Sequence, residues 1–294
     1  MIIRPSDSWF RMLLTWHGSV LPAILPQLGL MLAVSMVALL GKRVPLETAP
    51  FSLLGVSLAI FLAFRNNASY QRYLEARQHW GHILIAGRAL VSQVLAYVPD
   101  HRDDHLLCAR RVIAFAHLLR HQLRGSDPRP DAERLLGADA ADGLLQHAYR
   151  PVALLHDIRC ALRGVEVPAQ TLWMLDAQVS GLAEAVGGCE RIASTPIPYP
   201  YAVLLHRTIY VYCFLLPFGL VHAIGAATPV ISVFVAYTLF ALEAIAQEIG
   251  DPFGEAPNSL ALEAMCRTIE RSVLDLCGEP LPAELAAGKD YRIN

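Results

Sequence analysis

Three stretches of this chain carry no Asp, Glu, Lys or Arg: residues 18–41, 48–64 and 208–242, which are 24, 17 and 35 residues long. A helix rises 1.5 Å per residue, so about 20 apolar residues cross the roughly 30 Å hydrocarbon slab of a bilayer. A water-facing helix instead breaks such runs with polar residues on its outer face. The runs therefore read as membrane-crossing helices and argue against an ordinary water-soluble enzyme domain. Composition points the same way. The chain is 54% apolar and 17% charged, where soluble domains run at about 45–50% and 25%. Lys+Arg 24 against Asp+Glu 26 gives a net charge of −2. That leaves no basic field for a nucleic acid, and none is expected as a partner.

The first run carries Pro22 and Pro26 near its start, where a lost backbone bond is best tolerated. Ahead of it, Trp9, Phe10, Leu13, Leu14 and Trp16 suit an interfacial helix, and residues 1–8 do not read as a cleavable leader. The second run interleaves Gly55, Ser57, Ala59 and Ala63 with larger apolar residues, which lets helices pack closely in lipid. Its helical pattern then continues without a proline to Pro99. The third run is too long for one span. Gly225 and Pro229 supply a turn, giving spans at about 199–222 and 229–247.

Between Pro99 and Pro196 the spacing predicts water-soluble helices at about 101–124, 131–147, 149–163 and 168–190, with breakers that include Gly187–Gly188. No strand pattern appears. Four spans put both termini and residues 65–196 on one side. Arg4, Arg11, Arg65, Arg72, Arg77 and Arg88 outweigh Lys42 and Arg43, so that side reads as the cytoplasm. The expected organisation is an N-terminal segment with two spans at 1–64 and a cytoplasmic helical region at 65–196. Spans three and four follow at 197–248, then a cytoplasmic tail at 249–294.

Val56, Ile60 and Phe64 fall at i, i+4, i+8 and share one face of the second span. Such a stripe can pack inside a helix bundle. Repeated around an axis, it can instead form stacked apolar rings that gate by dewetting. Arg65, Asn66, Asn67 and Ser69 follow, either as a solvated cluster or as a polar vestibule. Arg207 opens the third span and can reach the interface or pair internally. His101/His105 and His117/His121 have i, i+4 spacing, but the sequence places no acidic or thiol partner with them, so no metal site is expected. The six cysteines form no C-x-x-C pair and read as reduced, mostly buried small hydrophobes. No nucleophile elbow, phosphate loop, dinucleotide fingerprint or H-E-x-x-H motif is present, so neither catalysis nor a cofactor is expected. Prolines at 196, 198 and 200 make an extended elbow before the third span.

After the fourth span comes Ile249-Gly-Asp-Pro252-Phe253-Gly254-Glu255. This segment resembles the I-N-P-F-G-E signature of the bestrophin ion channels. Arg72, eight residues past Phe64, matches a basic residue of that family, as do the long second helix and the proline elbow. The likeness extends over most of residues 1–275 and is nearest to the prokaryotic branch. It implies an all-helical homopentamer in the membrane, with four transmembrane helices per subunit and one axial pore. In that family an apolar neck carries three rings, which fall here on Val56, Ile60 and Phe64. A second, cytoplasmic constriction falls on Leu172 or Met174.

The calcium-binding aspartates of the animal members are replaced by Ala256, Pro257, Asn258 and Ser259, so calcium gating is not expected. Two aliphatic rings offer no positive aromatic edges to an anion. With the association of the prokaryotic branch with cations, this gives the expected function. It is a calcium-independent channel of a bacterial inner membrane passing Na⁺ and K⁺, with lipid and the permeating ions as its other partners. The rivals are an anion-selective channel of the same fold and a membrane-anchored scaffold without an ion path.

Overall fold

A computed structural model describes residues 1–2, 15–16, 18–41, 46–99, 102–288 and 291–293. The expected interfacial helix lies outside them, except Trp16, which is exposed. Ten α-helices occur among the described residues: α1 (Leu21–Leu40), α2 (Ala49–Tyr97), α3 (Arg102–Arg124), α4 (Arg129–Leu136), α5 (Ala138–Leu145), α6 (Arg150–Arg163), α7 (Ala169–Ser194), α8 (Tyr199–Ile224), α9 (Thr228–Gly250) and α10 (Leu262–Leu276). Among the described residues there is no β-strand beyond an isolated bridge between Ile2 and Arg292. The chain divides into two compact units. One gathers Arg4–Tyr73 with Pro196–Pro252; the other gathers Met1–Ile3, Leu74–Thr195 and Phe253–Asn294. The 49-residue helix α2 is unbroken and contributes to both.

In the first unit, three apolar stretches are long enough to cross a membrane: α1, the start of α2, and Tyr199–Gly250. The last is too long for one helix. Gly225, at φ +52°, ends α8, and a 3₁₀ turn (Gly225–Ala227) leads into α9. A left-handed φ suits glycine. The Thr228 hydroxyl donates to the Gly225 carbonyl at 2.6 Å, and Pro229 sits in the first turn of α9, where its missing N–H costs nothing. α8 and α9 pack on each other and both pack on α1. Ile24, Leu28, Met31, Leu58, Leu62, Ile209 and Phe240 are among the buried residues of their shared core.

Aromatic side chains of α2 and α8 rest on glycines of the opposite helix. A Cβ on Gly219 would sit 2.5 Å from the Phe51 ring, and one on Gly55 would sit 2.8 Å from the Tyr212 hydroxyl. Gly219→Ala is therefore expected to cost about 1–3 kcal/mol by overpacking, read as a lower melting temperature of the purified protein. A melting temperature within a degree of wild type would contradict the close approach.

The second unit is built on α3. Ile113, Phe115, Ala116 and Leu119 are fully buried, and α3 packs against α4, α6, α7 and α10. Two helix boundaries differ from the sequence expectation. The predicted helix 131–147 is two helices, because Gly137 at φ +85° interrupts it. The Gly187–Gly188 pair does not break α7, which runs on to Ser194. The space a Cβ would need at Gly188 is taken by the His79 ring, so that glycine serves packing rather than a turn. The proline elbow is shorter than expected: Pro198 caps α8 and Pro200 lies in its first turn. Of the six cysteines, all free, Cys189, Cys213 and Cys266 are buried, Cys108 and Cys277 half-buried, and Cys160 exposed.

Candidate functional site

The second unit also places the histidines that sequence spacing singled out. His101 is outside the described residues. His105 is buried. His117 and His121 meet two carboxylates that sequence proximity could not reveal. Asp131 Oδ2 lies 3.2 Å from His117 Nδ1 and 3.0 Å from His121 Nε2, and Glu270 Oε2 lies 3.6 Å from His117 Nε2. Arg120, Arg134 and Arg267 complete the cluster, with Arg134 spanning both acids.

Burial pulls the His117 imidazole down, but Asp131 and Glu270 outweigh it and leave its pKa raised. Burial pushes both acids up, and the same contacts reverse the shift. Glu270, held by His117 and Arg134, titrates at about 2. Asp131, held by His117, His121 and Arg134, lies far below the usual carboxylate range. Three guanidiniums interleave with the acids, which makes this a charge lock between α3, α4 and α10. Among the described residues no group of three or more His, Cys, Asp or Glu side chains has metal-holding geometry.

The more informative arrangement is on α2 in the first unit. Leu58 and Leu62 are 2% and 1% exposed and face the core shared with α1, α8 and α9. Val56, Ile60 and Phe64 point the other way and are 62%, 51% and 63% exposed. A step of two residues turns a helix by about 200°, so an anchored 58/62 face leaves 56/60/64 on the far side. The stripe is therefore not core of its own chain. Leu53 and Phe61 add to the exposed apolar surface.

The polar residues after the stripe do not form one solvated cluster. Asn67 is exposed, but Arg65 and Ser69 are buried. Arg65 Nη1 pairs with Glu243 Oε1 of α9 at 3.4 Å, and His206 Nδ1 of α8 lies 2.8 Å from the same oxygen. Asn66 Nδ2 donates to the Leu62 carbonyl at 2.9 Å. Arg72 Nε donates to the Gly250 carbonyl at 3.1 Å, placing a cation at the end of α9 where the helix dipole is negative. In the sequence His206 reads as a structural residue and Glu243 as the start of the acidic end of the fourth span, with nothing to pair either with Arg65. The available signal was that charges inside an apolar span need partners. Arg207 is exposed and makes no ion pair among the described residues.

The other candidates, Leu172 and Met174, lie on α7 in the second unit. Both are half-buried, and Trp173 between them is 78% exposed. In the same unit, the turn after α9 buries Phe253 and is clasped by Arg124, which donates to the carbonyls of Phe253 and Leu260 at 3.3 and 3.1 Å. Arg124 was not singled out by the sequence.

Comparison with known proteins agrees with this architecture. Residues 1–275 match the family described as Bacterial/Fungal Bestrophin protein. A Ralstonia nicotianae protein named voltage-dependent anion channel-forming protein is 45% identical, over 99% of each chain. An Escherichia coli K12 protein of the same description is 38% identical over the full length of both. The crystal structure of a bacterial bestrophin homologue from Klebsiella pneumoniae superposes with a TM-score of 0.85 at 40% identity, covering 87% of this chain and 99% of that one.

Proposed function

Because the chain belongs to the bacterial and fungal bestrophin family, we propose that it is a membrane ion channel. Copies of α2 surround one axis, and Val56, Ile60 and Phe64 form stacked apolar rings. The observation that carries this reading is the exposure of all three residues on a helix whose opposite face is anchored in the core. Five subunits close the ring. α1, the start of α2, α8 and α9 cross a bacterial inner membrane, with the termini and residues 65–196 in the cytoplasm. Leu172 or Met174 narrows the cytoplasmic exit. Conduction needs no cofactor, and the chain is not an enzyme.

For the permeant ion, the names of the relatives support anions, the reading that ranked second on the sequence. Cation conduction is the second reading, favoured by a neck with two aliphatic rings and one aromatic ring. Purified protein in a planar bilayer under a KCl gradient separates them. Reversal near the chloride potential is expected; reversal near the potassium potential would establish the cation reading. The current is expected to be indifferent to calcium chelation, because Ala256–Ser259 offer no carboxylate to a hard cation. Loss of current on chelation would overturn that point.

A further inference from the structure

Phe64, the last residue of the stripe, is followed directly by a buried cation. Arg65 brings a guanidinium to this point of α2. Alone it would set a fixed positive charge one residue beyond the third ring, in surroundings of low dielectric where a charge acts at long range. It is not alone: Glu243 Oε1 lies 3.4 Å from its guanidinium, and His206 Nδ1 holds the same oxygen at 2.8 Å. Residues from α2, α8 and α9 thus converge on one carboxylate oxygen. Buried charges in a membrane unit are costly and tend to mark ion paths, and a pair that only joined helices could be replaced by apolar packing at little cost.

We propose that the Arg65–Glu243 pair is an ion-selectivity determinant at the Phe64 end of the neck. Glu243 masks the Arg65 charge, and the balance of the pair sets the preference between anions and cations. This rests on the assignment of Val56, Ile60 and Phe64 as the neck. A failure of that assignment registers separately, as unchanged conductance when the rings are cut back.

The test is the chloride-to-potassium permeability ratio from reversal potentials of the purified channel. Glu243→Gln unmasks Arg65 and is expected to raise the ratio by at least about threefold; Arg65→Gln leaves the carboxylate and is expected to lower it by a similar factor. The double variant is expected to return close to wild type. A purely structural role cannot produce shifts of opposite sign. Each single variant leaves a buried charge without its partner and can fail to assemble. The reversed pair, Arg65→Glu with Glu243→Arg, avoids this and is expected to lower the ratio, because the negative charge then sits next to Phe64. Shifts of the same sign in both single variants, or an unchanged ratio in the reversed pair, would overturn the proposal.

Discussion

Cutting Ile60 and Phe64 back to alanine together should raise single-channel conductance at least about threefold, because a dry apolar constriction resists ion entry and widening it admits water. Both side chains are more than half exposed on the protomer, so their removal opens no cavity in the chain's own core. The variant should therefore fold and melt like wild type. Leu58→Ala on the same helix is the contrast. Leu58 is 2% exposed within the core of the membrane unit, and its truncation should cost about 2–5 kcal/mol while leaving conductance unchanged in the protein that does assemble. Unchanged conductance in Ile60→Ala/Phe64→Ala would remove the stripe from the ion path.

The largest stability effect is expected at Glu270. It is almost fully buried, and Arg134, His117 and Arg267 all reach it. Removing one member of a buried pair leaves the others uncompensated, at about 3–5 kcal/mol. At about 2–4 °C per kcal/mol for a unit of this size, Glu270→Ala should melt roughly 10 °C lower. The cluster also sets a pH window. His117 is raised above its ordinary 6.5, so its contribution is complete below that pH and is lost as pH rises through the higher folded value. Glu270 and Asp131 are depressed below their ordinary 4.5 and 3.8, so their contributions are complete above those values and fade as pH falls. The cluster's stabilisation is therefore greatest between about pH 4.5 and 6.5. Thermal melts across pH 4–9 should show that maximum in wild type and a flatter profile in Glu270→Gln. Equal profiles would contradict the charge lock.

Much of the fold was legible in the sequence because its main determinant is local. An uncharged run long enough to cross a bilayer needs no knowledge of the rest of the chain, and the Gly225–Pro229 turn lies where the third run had to be divided. The 56/60/64 stripe was legible as a periodicity. Its direction was not, because that depends on Leu58 and Leu62 finding partners on α1, α8 and α9. Pairings at long sequence separation stayed hidden for the same reason: Arg65 with Glu243, 178 residues apart, and Arg134 with Glu270, 136 apart. Glycine was the least legible residue. Gly137 broke a predicted helix by adopting a positive φ, whereas Gly188 sits within a continuous helix and makes room for His79. Ion preference is harder still, since ring chemistry argued for cations and the names of the relatives for anions. In the proposed ring, preference reflects the field summed over the copies of the chain, which no single residue type encodes.

The most direct measurement replaces Ile60, and separately Leu58, by cysteine and applies a small charged methanethiosulfonate reagent during bilayer recording. Wild type, with its six cysteines, serves as the control. Modification at Ile60→Cys is expected to change the current abruptly, and Leu58→Cys is expected to stay inert. A current that responds at Leu58→Cys, or that ignores a fully labelled Ile60→Cys, would mean that ions do not pass along this face of α2.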